Sequence, residues 1–162
     1  MKTSVGTVGI VMPMYNARQT VLRAVQSVIN QHYTDWHLYL VNDKSTDDSL
    51  AFVREHCQDP RITILDNAVN MGAAETRNVG LRAATEEIIA FLDSDDEWHA
   101  DKLTQQVAAI EAGDDFIITE YHYKTRKAEH DITYGKPYLQ QENFVKKQYR
   151  VCFSSVCFRR PP

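Results

Sequence analysis

Short apolar runs alternate along the chain with segments whose apolar residues recur at helical spacing. Val8–Met12 (VGIVM), Trp36–Val41, Ile62–Leu65, Ile88–Leu92 and Phe116–Tyr121 read as strands. Between the first two lies Ala17–Gln31, where Val21, Leu22, Val25, Val28 and Ile29 fall on one helix face. Ser45-Thr46-Asp47-Asp48 offers a capping-box start for a second helix through about Glu55. Gly72–Ala84 and Trp98–Glu111 supply two more helical patterns. The strands are continuously apolar rather than alternating, so both faces of their sheet are covered. The predicted class is α/β, a three-layer αβα sandwich with a mainly parallel central sheet and right-handed crossovers. After Tyr121 the rhythm fails. Lys124–Gly135 is polar and reads as a loop, Pro137–Gln148 as a short helix, and Val151–Phe158 as a return strand.

Length and composition narrow this further. A chain of 162 residues and 18.6 kDa is one domain by size. With 43% hydrophobic and 25% charged residues it is globular, not disordered or of low complexity. No apolar run approaches the roughly 20 residues that span a bilayer. Pro13 and Tyr15-Asn16 interrupt the only candidate for a cleaved leader. Three cysteines, Cys57, Cys152 and Cys157, without a CxxC pair, disfavour a disulfide framework or a zinc site and fit a reducing cytoplasm.

The net charge of −4 argues against a nucleic-acid partner. It divides unevenly: from Lys136 onward six Lys and Arg face Glu142 alone, giving +5, so the first 135 residues carry −9. A basic end of this kind either leans on anionic lipid, as in peripheral membrane association, or is simply solvated.

In parallel sheets ligands bind beyond the carboxyl ends of the strands, so chemistry is sought there. The first strand is followed by Pro13-Met14-Tyr15-Asn16 and the second by Asn42-Asp43-Lys44-Ser45. The third leads to Asn70-Met71-Gly72 and then Arg77-Asn78-Val79-Gly80, and the fourth ends in Asp93-Ser94-Asp95-Asp96. Three carboxylates within four residues repel one another, each added charge costing on the order of 1 kcal/mol. A divalent cation relieves that repulsion, and hard oxygen ligands select Mg²⁺, Mn²⁺ or Ca²⁺. The same acids also suit a helix-capping turn. Asp43 can accept from a nucleobase imide or a ribose hydroxyl, or close an Asx-turn. Gly72 permits an anion at a helix start, or is a plain turn glycine. Arg77 can reach a diphosphate or lie solvated on its helix, and Gly80 suits close helix–sheet packing.

Several common sites are absent. No GxGxxG follows the first strand, and no GxxxxGK[ST], HExxH or G-x-S-x-G occurs.

VMPMYN, VNDKSTDD, NMGAAETRNVG and FLDSDDEW, in this order at successive strand ends, resemble the motifs of the inverting glycosyltransferase family 2 with its GT-A fold. The likeness is strongest from about Val8 to Asp115, and SSVCFRR (Ser154–Arg160) is similar to the family's later strand. It implies a nucleotide-sugar donor, most often a UDP-sugar, a glycan or lipid-linked acceptor, and a divalent metal, Mn²⁺ or Mg²⁺. Pro13 and Tyr15 would line the nucleoside pocket, Asp43 would hold the base, and Gly72 and Arg77 would lie by the nucleotide. Asp93 and Ser94 would face the ribose, and Asp95, with Asp93, would bind the metal, while Asp96 supports the turn. Residues 1–121 would then form the donor-binding core of a single domain spanning 1–162, with a loop, short helix and return strand after it. The family's general base lies after the strand resembled by Ser154–Arg160, so it is expected beyond residue 162. The family acts mostly in the cytoplasm, often at the inner face of the membrane, so the resemblance implies that location here. Two positions depart from the pattern: Asn42 replaces the first acid of a pair, and Lys44 stands where glycine is common. A nucleotide- and metal-binding module without transferase activity is the alternative. A nucleotidyltransferase is disfavoured for want of a glycine-rich, arginine-bearing opening loop.

Overall fold

The computed structural model describes residues 6–124, 129–132 and 152–161. Its elements in chain order are β1 (Val8–Met14), α1 (Val21–Ile29), β2 (Trp36–Asn42), α2 (Ser49–His56), β3 (Ile62–Asp66), α3 (Ala73–Ala83), β4 (Ile88–Phe91), α4 (Lys102–Glu111), β5 (Phe116–Ile118), β6 (Tyr121–Lys124), β7 (Glu129–Ile132) and β8 (Val156–Arg159). A 3-10 turn, Phe153–Ser155, precedes β8. The main sheet has the order β3-β2-β1-β4-β8-β5. Its β1–β2, β1–β4 and β2–β3 pairs are parallel, and β8 runs antiparallel to both β4 and β5.

Alternate residues of β1 face opposite layers. Val8, Ile10, Met12 and Met14 join Val21, Val25 and Val28 of α1, Val53 of α2 and Leu103, Val107 and Ile110 of α4 in the larger core. Val11 points the other way, with Tyr39, Ile89, Phe91 and Val156, against Leu81 and Ala83 at the end of α3. The three-layer αβα sandwich is therefore present. Gly80 lets α3 lie close: a Cβ there would stand 2.5 Å from Val11 Cγ1 and 3.2 Å from Val41 Cγ2.

β1 runs two residues beyond the strand the apolar run predicts, through Pro13. In a parallel strand successive residues direct their backbone groups to opposite neighbours. Met14 O accepts from Asp43 N on the β2 side, so position 13 faces the β4 side. Leu92 N still donates to Val11 O at 3.1 Å, and the β1–β4 register ends at Val11↔Phe91, so the ladder stops at the position where proline has no N–H to continue it. Beyond Val11 the two central strands part, and a crevice opens between them.

Other boundaries differ from the sequence expectations. The second helix begins at Ser49 with Asp48 as its cap residue, not at a Ser45 capping box. The Ser45 hydroxyl instead accepts from Asn16 N at 3.0 Å. The first and fourth helices start later than predicted, at Val21 and Lys102. The fifth strand stops at Ile118, and Tyr121 opens a separate hairpin in which β6 pairs with β7. Part of the stretch expected to be a loop, Glu129–Ile132, is thus a strand. The expected return strand begins only at Val156, its first turn being the 3-10 turn. The expected helix within Pro137–Gln148 lies outside the described residues.

Candidate functional site

A cleft of about 390 Å³ opens at the carboxyl ends of β1, β2 and β4, where the chain order reverses across the sheet. Pro13, Tyr15, Asp43, Gly72, Arg77, Asp93, Ser94 and Asp95 all line it. Every site residue singled out in the sequence is thus brought to one place. Met14, Asn70, Ala73 and Thr76 complete the lining and were not singled out.

At one end stands Tyr15, 50% exposed, an open aromatic face beside the buried Asp43. Asp43 Oδ1 accepts from Met71 N at 2.8 Å and Asn67 Nδ2 at 3.0 Å, and Oδ2 accepts from Gly72 N at 2.9 Å. Asn70 Nδ2 donates back to Asp43 O at 3.0 Å. Burial alone would raise the Asp43 pKa. The donated bonds from Met71, Asn67, Thr76 and Gly72 outweigh it and hold the carboxyl below its ordinary value. Asp43 therefore pins the loop ahead of α3, and the Gly72 N–H is turned to Asp43. The glycine itself has φ +82°, which only a residue without Cβ adopts easily.

Two asparagines hold the neighbouring loop. Asn16, at φ +48°, accepts at Oδ1 from Thr46 N at 2.8 Å and Asp47 N at 3.3 Å. Asn42 donates through Nδ2 to Asp66 Oδ1 at 2.7 Å and accepts from Ser45 N at 3.2 Å. Lys44 sits at φ +58°, which accounts for the glycine usual there and costs a lysine about 1 kcal/mol.

At the other end is the acid turn. Arg77 Nη2 donates to Asp93 Oδ1, and the guanidinium carbon lies 4.3 Å from the Phe153 ring centroid. Arg77 Nε is buried without a partner among the described residues. Burial pushes the Asp93 carboxyl above its ordinary value. Arg77 opposes the rise, and Asp96 and Asp95 add to it. Asp96 turns to Ser154, whose Oγ donates to Asp96 Oδ2 at 2.6 Å. Asp95 is exposed, and among the described residues its carboxylate carries no hydrogen bond or ion pair.

No cluster of three His, Cys, Asp or Glu poised around a metal exists among the described residues. The donor set still fits a hard cation of the Mg²⁺ or Mn²⁺ type. Such ions use one or two carboxylates and take their remaining oxygens from water and phosphate. Asp95 is the free carboxylate at the cleft, with Asp93 beside it.

Sequence reasoning gave no role to Asn16, Asn67, Phe153 or Ser154. Asn16 and Asn70 stood within quoted motifs. Ser154 opened the stretch similar to the family's later strand but was given no role, and Phe153 carries no local signal, because their partners lie far away in the chain.

The family model described as glycosyl transferase family 2 matches residues 9–160. The chain is 44% identical over 103 residues to the UDP-Glc:alpha-D-GlcNAc-diphosphoundecaprenol beta-1,3-glucosyltransferase WfgD of Escherichia coli, covering 64% of this chain and 40% of that protein. Among solved structures it resembles S. aureus TarS 1-349 in complex with UDP-GlcNAc, with TM-score 0.65 and 25% identity over 69% of this chain and 33% of that one. It shares its fold with the mannosyltransferase PcManGT from Pyrobaculum calidifontis in complex with GDP-Man and Mn²⁺, at TM-score 0.63 and 24% identity over 72% and 36% of the two chains. The chain thus spans about two fifths of the curated relative's length.

Proposed function

The chain belongs to glycosyl transferase family 2 and has the GT-A fold, and from that premise we propose that its cleft holds the nucleoside diphosphate of a sugar donor for transfer with inversion. The observation that carries this reading is the division of one cleft into two chemistries. An open aromatic face beside a buried acceptor lies at one end, and at the other an arginine paired with Asp93 next to the unpartnered carboxylate of Asp95. A base stacks on Tyr15 and a diphosphate reaches Arg77. A divalent cation at Asp95, with Asp93, would supply positive charge against the leaving diphosphate. Ser94 and Asp93, both in the lining, would face the ribose.

The donor is read as a UDP-sugar, because the E. coli relative is named for UDP-Glc and the TarS structure holds UDP-GlcNAc. The acceptor is read as a lipid-linked glycan, because the same relative is named for a diphosphoundecaprenol-linked sugar. We read the work as lying at the cytoplasmic face of a membrane, a reading supported by the membrane-anchored acceptor that the relative's name implies. No helix among the described residues is long and apolar enough to cross one. An acceptor hydroxyl attacks the sugar opposite the diphosphate, and its proton needs a base. In the cleft Asp43 is committed to backbone N–H groups and Asp93 to Arg77, and Asp95 is assigned to the ion. We therefore read the general base as the resemblance implies it, a carboxylate outside this cleft.

Thermal unfolding in the presence of UDP, GDP or dTDP, each with and without Mn²⁺, tests the donor class. A ligand at about 100 times its dissociation constant stabilises by about 2.7 kcal/mol. UDP with Mn²⁺ is expected to raise the midpoint most. A chain that no nucleotide stabilises, with or without the ion, contradicts the reading.

A further inference from the structure

The turn Cys152–Ser155 follows the acid turn by some sixty residues of chain, yet its atoms are built into it. Asp93 N donates to Ser154 Oγ at 2.9 Å, a bond spanning 61 residues. The same hydroxyl gives its one proton to Asp96 Oδ2 at 2.6 Å. Cys152 Sγ lies 3.5 Å from that carboxylate oxygen. The turn is itself fixed from behind: Trp98 Nε1 donates to Ser154 O at 2.8 Å, and Gln106 Nε2 donates to Ser155 O at 2.9 Å. Ser154 is 7% exposed and Trp98 is buried, so this is a packed joint rather than a surface contact. Phe153, the residue before Ser154, lies against the Arg77 guanidinium.

Three carboxylates within four residues have several ways to spread apart, and only some leave an oxygen pair facing the cleft. Ser154 removes that freedom. It holds the backbone at Asp93, where the turn begins, and draws the Asp96 carboxylate to itself, where the turn ends. Asp95, between them, is left without a partner at the cleft.

We propose that Ser154 is a positioning residue of the donor site, acting through Asp93 N and the Asp96 carboxylate to hold the acid turn so that Asp95 faces the cleft. The proposal rests on the reading of the cleft as a metal-dependent nucleoside diphosphate site. It adds that residues far beyond the acid turn set the geometry of that site. Ser154 touches no ligand in this account, so its loss should weaken only the part of binding that passes through the acid turn.

Calorimetric titration of UDP, with and without Mn²⁺, into the parent chain, Ser154→Ala and Ser154→Thr tests it. In Ser154→Ala the Mn²⁺-dependent affinity is expected to fall about tenfold, equivalent to about 1.4 kcal/mol. The metal-free affinity should stay as in the parent. Ser154→Thr, which keeps a hydroxyl, should recover most of the loss. Should Ser154→Ala fail to fold, Asp96→Ala reads the same tie from its other end and is expected to show a loss of the same size. Metal-dependent binding unchanged in Ser154→Ala, or abolished by Asp96→Ala while Ser154→Ala keeps most of it, overturns the proposal. If the parent binds UDP no better with Mn²⁺ than without, the reading of the cleft fails and the proposal falls with it. A parent that gains affinity from the ion, matched by Ser154→Ala, removes the proposal alone.

Discussion

Asn42 sits where a carboxylate would meet another carboxylate. Its Nδ2 gives a hydrogen bond to Asp66 Oδ1 at 2.7 Å while its Oδ1 takes one from Ser45 N, so both ends of the amide are used. An aspartate has no donor for Asp66, which explains why the acid usual in the family pattern is replaced here. Asn42→Asp is expected to cost about 1–3 kcal/mol at neutral pH, measured by urea unfolding, because it sets like charges at hydrogen-bond distance in a 1% exposed position. One carboxyl of such a pair has a folded pKa above its unfolded one, so the loss should shrink on acidification into the carboxylate range. Asp66→Asn added to Asn42→Asp should recover stability at neutral pH. A single variant as stable as the parent at every pH would contradict the assigned contact. Asp43, one residue on, follows the opposite logic: burial would favour its neutral form, and the donated bonds hold it charged.

Elements were legible in the sequence where local pattern decides them and illegible where distant contacts do. β1, β2 and β4 are continuous apolar runs buried on both faces, so their cores lie where expected. The role of Gly80 in close packing followed from its place on α3, and Val11 is the residue it makes room for. The start of α2 was misplaced because Ser45 answers to Asn16 rather than to its own helix. Glu129–Ile132 has too few apolar residues for periodicity to mark it as a strand. The turn before β8 is held by Trp98, Gln106 and Asp96, which no local window contains. The site was legible as a set of strand-end residues, but its internal ties were not. α4 carries a further element-scale consequence. Lys102 is buried against the Trp98 ring, with Nζ donating to Gln106 Oε1 at 2.6 Å. Burial brings its pKa down from 10.5 to about 7, against the opposing pull of Cys157 and Cys152. A lysine whose folded pKa is lowered costs stability below that value, and the cost lifts as pH rises towards the unfolded value. Relative to the parent, Lys102→Met should therefore be at its best near pH 6. By about pH 9.5 it should lose roughly 2–3 kcal/mol of that advantage in urea unfolding. A stability difference that does not vary with pH would show that Lys102 titrates normally.

Across the whole molecule, the sheet order places β2 on one side of β1 and β4 on the other, and the cleft lies where β1 outlasts β4. Pro13, which has no N–H, stands where the ladder on that side stops, and Asp43 and Arg77 enter from β2 and α3. The acid turn enters from β4, braced by the turn before β8. Among the described residues the fold thus presents a carboxylate without a partner, Asp95, at a cleft that also holds Arg77, and the metal-dependent diphosphate site proposed above would rest on these two groups. The most direct test is a calorimetric titration of UDP into the parent chain and into Asp95→Ala, each with and without Mn²⁺. The account predicts that the ion tightens UDP binding to the parent at least tenfold and leaves Asp95→Ala unchanged. Equal enhancement in both chains, or none in the parent, would contradict it.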